Sequence, residues 1–244
     1  MLSQAPGYNK HATKQHEDGK HLLTKLDIRQ GNYIIDIGCG TGNVTNSIAN
    51  AVGGNGLVLA IDPDRDRINI AKTQYLQPQI DWFEGSLDEY EPQVNETFDF
   101  AFSNYVFHWI ENQTAGIKKV VNLLKPGGRF AFCCVTNHPI FIKDLITPLG
   151  KDGEKLISSL YYKNKTAWKE LFTKNGLSIN EIIAVDGYHF NDVESAMIWW
   201  EVTTHGLFAK HKLSSEQMIT IKNKYPGEIN IFEEEILCMI ATKK

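Results

Sequence analysis

The segment Tyr33-Ile34-Ile35-Asp36-Ile37-Gly38-Cys39-Gly40-Thr41-Gly42-Asn43 restricts the possible folds more than any other stretch of the chain. A run rich in isoleucine meets three glycines at every second position, and residues with helical spacing follow. Glycine admits positive φ, and without a Cβ it lets the backbone lie directly against a ligand. The helix that follows presents free N–H groups at its N-terminus. A dinucleotide fold requires GxGxxG. Counted from Gly38, the third glycine should fall at position 43, which is Asn43; counted from Gly40, it should fall at Thr45. Both frames fail, so a strand–glycine–helix ligand loop is expected without the dinucleotide spacing.

The remainder of the chain repeats the strand–helix alternation of stacked βαβ units around a parallel sheet. Residues 33–37, 57–61, 80–83, 98–102 and 129–135 read as buried strands. Val44, Ile48, Ala51 and Val52 recur at helical spacing, as do Ile117, Val120, Val121 and Leu124, and Lys125-Pro126-Gly127-Gly128 ends the second helix with a tight turn. Right-handed crossovers would bring the C-terminal ends of the parallel strands to one edge. Beyond Val135 the rhythm changes. Helices are expected over 138–149, 165–174 and from a capping box at Asn191 through Trp199-Trp200, with another opening at Ser214. Strands are expected over 178–184 and 235–242. No linker divides the chain, so residues 1–244 read as one domain: a ligand-loop core over 30–135, with about 1–29, 137–170 and 191–206 as added segments over the sheet's functional edge.

Composition narrows the function classes. The 244 residues carry 25 basic and 29 acidic side chains, a net charge of −4, which argues against a nucleic-acid partner. With 42% hydrophobic and 22% charged residues, wholesale disorder is excluded. Cys39, Cys133, Cys134 and Cys238 form no CxxC pair, which suggests reduced, buried thiols rather than a disulfide framework or a zinc site. The polar N-terminus lacks the apolar core of a signal peptide, and no run reaches the ~18 apolar residues of a membrane span. A soluble, cytoplasmic protein is expected. His11, His16 and His21 recur every five residues, turning a helix by roughly 500° between them, off one face; solvated histidines and no metal site are expected.

The pattern Asp36-x-Gly38-x-Gly40-x-Gly42 resembles the first motif of the class I S-adenosylmethionine-dependent methyltransferases. The resemblance implies a Rossmann-like, doubly wound, mostly parallel seven-stranded sheet with an antiparallel last strand and helical lid additions. It implies S-adenosylmethionine as cofactor, held by Asp36, Gly38, Cys39, Gly40 and Gly42 of the loop. Asp62, followed by Pro63 at the end of the next strand, would accept hydrogen bonds from both ribose hydroxyls. Gly85 and Ser86 fall where the family carries an acid for the adenine amino group, and serine replaces that acid here. Asn104 and Tyr105 match the fourth motif, whose backbone meets the methionine end. The Pro-Pro-Tyr of nucleic-acid amino-methylating relatives is absent, which removes support for a flipped-base substrate.

His108-Trp109, preceded by Asn104, resembles the small-molecule carboxyl methyltransferases of the juvenile hormone acid and trans-aconitate group, and Tyr8 and Gln15 fit that group's leading helix. The resemblance places Gln15, His108 and Trp109 at the acceptor. A carboxylate is ionised at neutral pH and needs only donors to orient it, whereas a phenol or alcohol would need a base, for which His108 is the candidate. The second half is dense in aromatics, among them Phe141, Tyr162, Trp168, Tyr188, Trp199 and Trp200. About half should be core and the rest an apolar acceptor pocket, with Trp199 and Trp200 pointing ~100° apart and unable to face it together. The expected reaction is methyl transfer to a small, lipophilic molecule, on a carboxylate oxygen. A phenol, hydroxyl or amine acceptor, a non-catalytic cofactor binder and an NAD-dependent oxidoreductase stay open, the last weakened by the failed spacing.

Overall fold

The computed structural model describes residues 13–94, 97–204, 206–232 and 234–244. Tyr8 and His11 lie outside the described residues. The order along the chain is α1 (Thr13–Thr24), β1 (Tyr33–Ile37), α2 (Asn43–Val52), β2 (Leu57–Asp62), α3 (Arg65–Gln74), β3 (Ile80–Glu84), β4 (Phe98–Asn104), α4 (Gln113–Leu123) and β5 (Leu124–Val135). There follow α5 (Ile140–Ile146), α6 (Lys151–Ser158), α7 (Lys165–Lys174), β6 (Leu177–Ile183), β7 (Tyr188–Phe190), α8 (Val193–Thr203), α9 (Ser215–Lys224), β8 (Ile229–Ile231) and β9 (Ile236–Lys243).

Seven strands form one sheet in the order β3-β2-β1-β4-β5-β9-β6. Pairs from β3 through β5 are parallel, and β9 runs antiparallel between β5 and β6. The anticipated doubly wound sheet with its antiparallel last strand is therefore the fold. Its central strands are near-continuous apolar runs because both faces are covered. One face packs Ile35, Leu59 and Phe132 against α4 and α7 through Ile117, Trp168 and Phe172. The other packs Ile34, Val58 and Phe102 against α1, α2 and α3 through Leu22, Ile48 and Ile68, and then against α5 and α8.

Several expectations need correction. Cys133 lies directly opposite Cys238 in the β5–β9 ladder, and the two are joined as a disulfide; only Cys39 and Cys134 are free thiols. The two cysteines are 105 residues apart in sequence, and only the position of β9 beside β5 makes them neighbours. The Lys125–Gly128 turn is an excursion within β5, where five residues advance against two of β4. The helix expected over 138–149 ends at Ile146 and passes into a 3₁₀ turn. Asp192, not Asn191, caps α8 by accepting from the Ser195 N–H, whereas Ser214 and Gln217 make the full capping box of α9. A two-stranded sheet of β7 and β8 was not anticipated. No helix among the described residues is long and apolar enough to cross a membrane.

Candidate functional site

The chain leaves β1 towards β2 on one side and returns to β4 on the other, so a crevice opens at the C-terminal ends of β1, β2 and β4, the topological switch point. Its floor is the glycine loop. Gly38 and Cys39 donate to the Ile61 carbonyl at 2.8 and 3.0 Å, and the Gly40 N–H donates to Asp62 Oδ2 at 2.8 Å. Gly38 has φ +74°, and a Cβ there would fall 2.1 Å from Val106 Cγ2, so the loop closes only around glycine. Gly42, at φ +83°, faces elsewhere: a Cβ would meet the Trp82 and Tyr75 rings at 2.8 and 2.9 Å. Glycine there lets the start of α2 lie against β3 and α3.

Asp36 is buried beneath the loop and accepts from Thr45 Oγ1 at 2.6 Å. Burial pushes its carboxyl up to about 7; the Thr45 hydrogen bond opposes the rise and the Asp62 charge adds to it. Asp62 ends β2 with its carboxylate fixed, Oδ2 by Gly40 and Oδ1 by the Asp64 N–H at 2.9 Å. Pro63 follows at the crevice wall. The Gly85 N–H donates to the Asp62 carbonyl at 3.0 Å, which places Gly85 behind the wall. Ser86 faces an outer groove, but its Oγ accepts from the Glu89 N–H at 3.3 Å while Glu89 Oε2 accepts from the Ser86 N–H at 2.7 Å. Its hydroxyl is thus engaged in a local turn, and Asp88 lines the same groove.

At the tip of β4, Asn104 Nδ2 donates to the Gln15 carbonyl at 2.8 Å, and its Oδ1 is buried without a partner. Tyr105 adopts φ +62°, a left-handed conformation that costs a tyrosine ~1–3 kcal/mol and therefore marks a site. The Tyr105 hydroxyl donates to Asp18 Oδ2 at 2.7 Å, and Asp18 also pairs with Lys14. Burial, with Tyr188 and Asp18 nearby, holds that phenol well above its ordinary range. These contacts dock α1 on the strand tip and carry Gln15 into the site, where its Oε1 accepts from Trp199 Nε1 at 3.4 Å.

His108 and Trp109 follow β4 in a 3₁₀ turn. His108 is 6% exposed, stacks on Tyr162 with ring centres 5.7 Å apart, and has a buried Nδ1 with no partner. Burial, with His138 nearby, lowers it to about 3, so the ring is neutral at physiological pH. His16, read above as solvated, is instead partly buried beside the glycine loop, where burial and then Lys20 lower it to about 4. Among the described residues no cluster of His, Cys, Asp or Glu could hold a metal ion.

These side chains converge on a cavity of about 140 Å³. Gln15, Gly38, Asp62, Pro63, Asn104 and Tyr105 form its cofactor-loop side, and His108, Trp109, Tyr162, Tyr188 and Phe232 wall it with aromatic surface. Trp199 and Trp200 both line it, contrary to the geometric expectation, with ring centres 5.6 Å apart. Cys39, Gly40, Asp36 and His16 surround a pocket of about 30 Å³ behind it, and the outer groove, about 770 Å³, runs past Ile37, Ile61, Leu87 and Trp109. The sequence reading missed Arg67, Asp88, Thr203 and Phe232. Asp88 was findable as the next acid after Ser86; Arg67 carries no local signal.

Residues 34–128 match a family described as a methyltransferase domain. Protein 235L of Invertebrate iridescent virus 6, which bears a methyltransferase name, is 32% identical over 152 residues, 61% of this chain and 54% of the relative. The demethylmenaquinone methyltransferase of Bacillus cytotoxicus is 26% identical over 147 residues, 59% of this chain and 57% of the relative. The chain thus spans little more than half the length of these curated relatives. A solved S-adenosylmethionine-dependent methyltransferase from Mesorhizobium loti superposes with a TM-score of 0.59 at 16% identity, covering 92% of this chain and 96% of that one. Residues 34–128 are thus similar to a methyltransferase domain, in a chain with the fold of the S-adenosylmethionine-dependent methyltransferases.

Proposed function

We propose that the chain transfers the methyl group of S-adenosylmethionine to a carboxylate oxygen of a small, apolar molecule, giving a methyl ester. The residues at the crevice fit that cofactor. Asn104 Oδ1 is a buried acceptor lacking a donor, and the cofactor's ammonium is a donor. Asp62, its carboxylate held at the crevice wall, would accept from the ribose hydroxyls. The groove past Ile37, Ile61 and Leu87 suits a flat base, with Asp88 rather than Ser86 for its amino group. Bound there, the cofactor supplies an electrophilic methyl on a sulfonium. Gly38 and the strained Tyr105 backbone shape the methionine end. Gln15, held by Trp199 at the cavity wall, would orient the acceptor, and the aromatic walls exclude water. In-line alignment of this kind can supply ~7–11 kcal/mol of the barrier. Segments 137–170 and 191–206 act as the lid, through Tyr162 and through Trp199 and Trp200.

His108 carries the choice of acceptor. With its pKa at about 3, it is too weak a base for a phenol of pKa ~10, whereas a carboxylate of pKa ~4 arrives ionised and needs only orientation. Among the described lining residues Arg67 is the one cationic side chain, which suits an apolar monoacid, of the juvenile hormone acid kind, better than a polycarboxylate. The test is incubation with methyl-labelled cofactor and fractionated lipophilic acids, phenols and amines. Label released as methanol by mild alkali is expected; alkali-stable label would move the methyl to a phenol, hydroxyl or amine, and cofactor binding without labelled product would leave a non-catalytic binder.

A further inference from the structure

Arg67 projects from the first turn of α3 and is almost fully buried, with a side chain 9% exposed. On one side its Nε lies 3.4 Å from Asp64 Oδ2. On the other its Nη2 donates to the Val202 carbonyl at 3.4 Å, in the last turn of α8. A guanidinium at that end satisfies a terminal carbonyl and is favoured by the helix dipole. Asp64 in turn is fixed to the ribose-side acid, its N–H donating to Asp62 Oδ1, and Asp62 Oδ2 is fixed to the Gly40 N–H. A continuous polar chain therefore runs from the glycine loop through Asp62, Asp64 and Arg67 to the C-terminus of α8. That helix carries Trp199, Trp200 and Thr203 into the cavity, and Trp199 Nε1 also donates to Gln15 Oε1 of α1.

We propose that Arg67 is a positioning residue that couples cofactor occupancy at Asp62 to the seating of α8 over the acceptor side of the cavity. The inference rests on the reading of Asp62 as the ribose acid. A ligand that bonds to the Asp62 carboxylate stiffens the Asp62–Asp64 turn on which the guanidinium leans, and α8 is then held more firmly at its C-terminal end. The acceptor meets a finished wall only after the cofactor is in place, and by reciprocity a seated α8 tightens cofactor binding by the same factor.

The test is hydrogen exchange of α8 amides, without and with saturating S-adenosylhomocysteine, beside calorimetric titration of the same ligand. In the wild type the ligand should slow exchange across the last turns of α8 by roughly 10-fold, within the usual range of coupling between sites. In Arg67→Met the ligand should still bind, weakened by no more than that factor, and protection of α8 should vanish. Asp64→Asn keeps the α3 cap but removes the charge facing Arg67, so it should reduce the protection in a protein whose fold is secure. Equal protection in wild type and both variants overturns the coupling, as does a wild type that binds the ligand with α8 unchanged. Loss of all binding in Arg67→Met would place Arg67 in the cofactor site itself and also overturn it. A wild type that does not bind S-adenosylhomocysteine would instead sink the cofactor reading on which the coupling rests.

Discussion

Two backbone N–H groups, from Gly40 and Asp64, hold the Asp62 carboxylate at the crevice wall. Charge-assisted hydrogen bonds of the ribose kind contribute ~1.5–3 kcal/mol, so Asp62→Ala should weaken S-adenosylmethionine binding roughly 10- to 150-fold in a calorimetric titration. Unchanged affinity would remove Asp62 from the site. Asp36 allows a prediction of opposite character. Burial raises its folded-state pKa from 3.8 to about 7, so its contribution to stability is complete below the unfolded value and is lost as pH rises through about 7. Asp36→Asn should melt with the wild type near pH ~4 and above it near pH ~8, while binding cofactor less well. A variant less stable than wild type at the higher pH would show that the buried carboxylate is compensated. At this scale the sequence was most legible where residue type and strand end coincide, as at Gly38 and Asp62. It was least so at Gly42, Ser86 and Arg67, whose surroundings depend on which neighbour the fold delivers: the Trp82 ring, the Glu89 N–H, the Val202 carbonyl.

Among the elements, α1 has the most to lose from a single atom. Its buried Asp18 accepts from the Tyr105 hydroxyl, and its Gln15 carbonyl accepts from Asn104, so the helix is pinned to the tip of β4 at two points. Tyr105→Phe removes one pin and leaves a buried carboxylate oxygen short of a donor, a loss of ~1–3 kcal/mol. Exchange of α1 amides should quicken while the central strands keep their protection; unchanged α1 exchange would show that the Asn104–Gln15 bond and the packing of Leu22 hold the helix without this pin. The long elements around β1, β2, β4 and β9 followed directly from apolar runs, and α7 and the α9 cap from helix periodicity and the Ser214 box. By contrast, β7 and β8 are three residues each and have no periodicity to read, although they bring Tyr188 and Phe232 to the cavity. The Cys133–Cys238 pairing was hidden for a related reason, since strand order rather than sequence spacing decides which residues face one another.

For the molecule as a whole, three histidines are held neutral around the crevice. Burial lowers His16 to about 4, His108 to about 3 and His138 to about 4, with Lys20, His138 and Lys143 respectively adding to the shifts. All three have folded pKa values depressed below the ordinary 6.5, so their contribution to stability is present above that value and is lost as pH falls towards 4 and 3. Chemical denaturation between pH ~7 and ~4 should show falling stability, less steep in His138→Gln; an identical slope in the variant would mean that His138 gains its proton without cost. Crystals grown with saturating S-adenosylhomocysteine would show whether the switch-point crevice is an S-adenosylmethionine site. The ribose hydroxyls of the ligand should bond to the Asp62 carboxylate and its ammonium to Asn104, with the sulfur facing the aromatic cavity. An empty crevice, or the ligand bound elsewhere, would contradict that assignment.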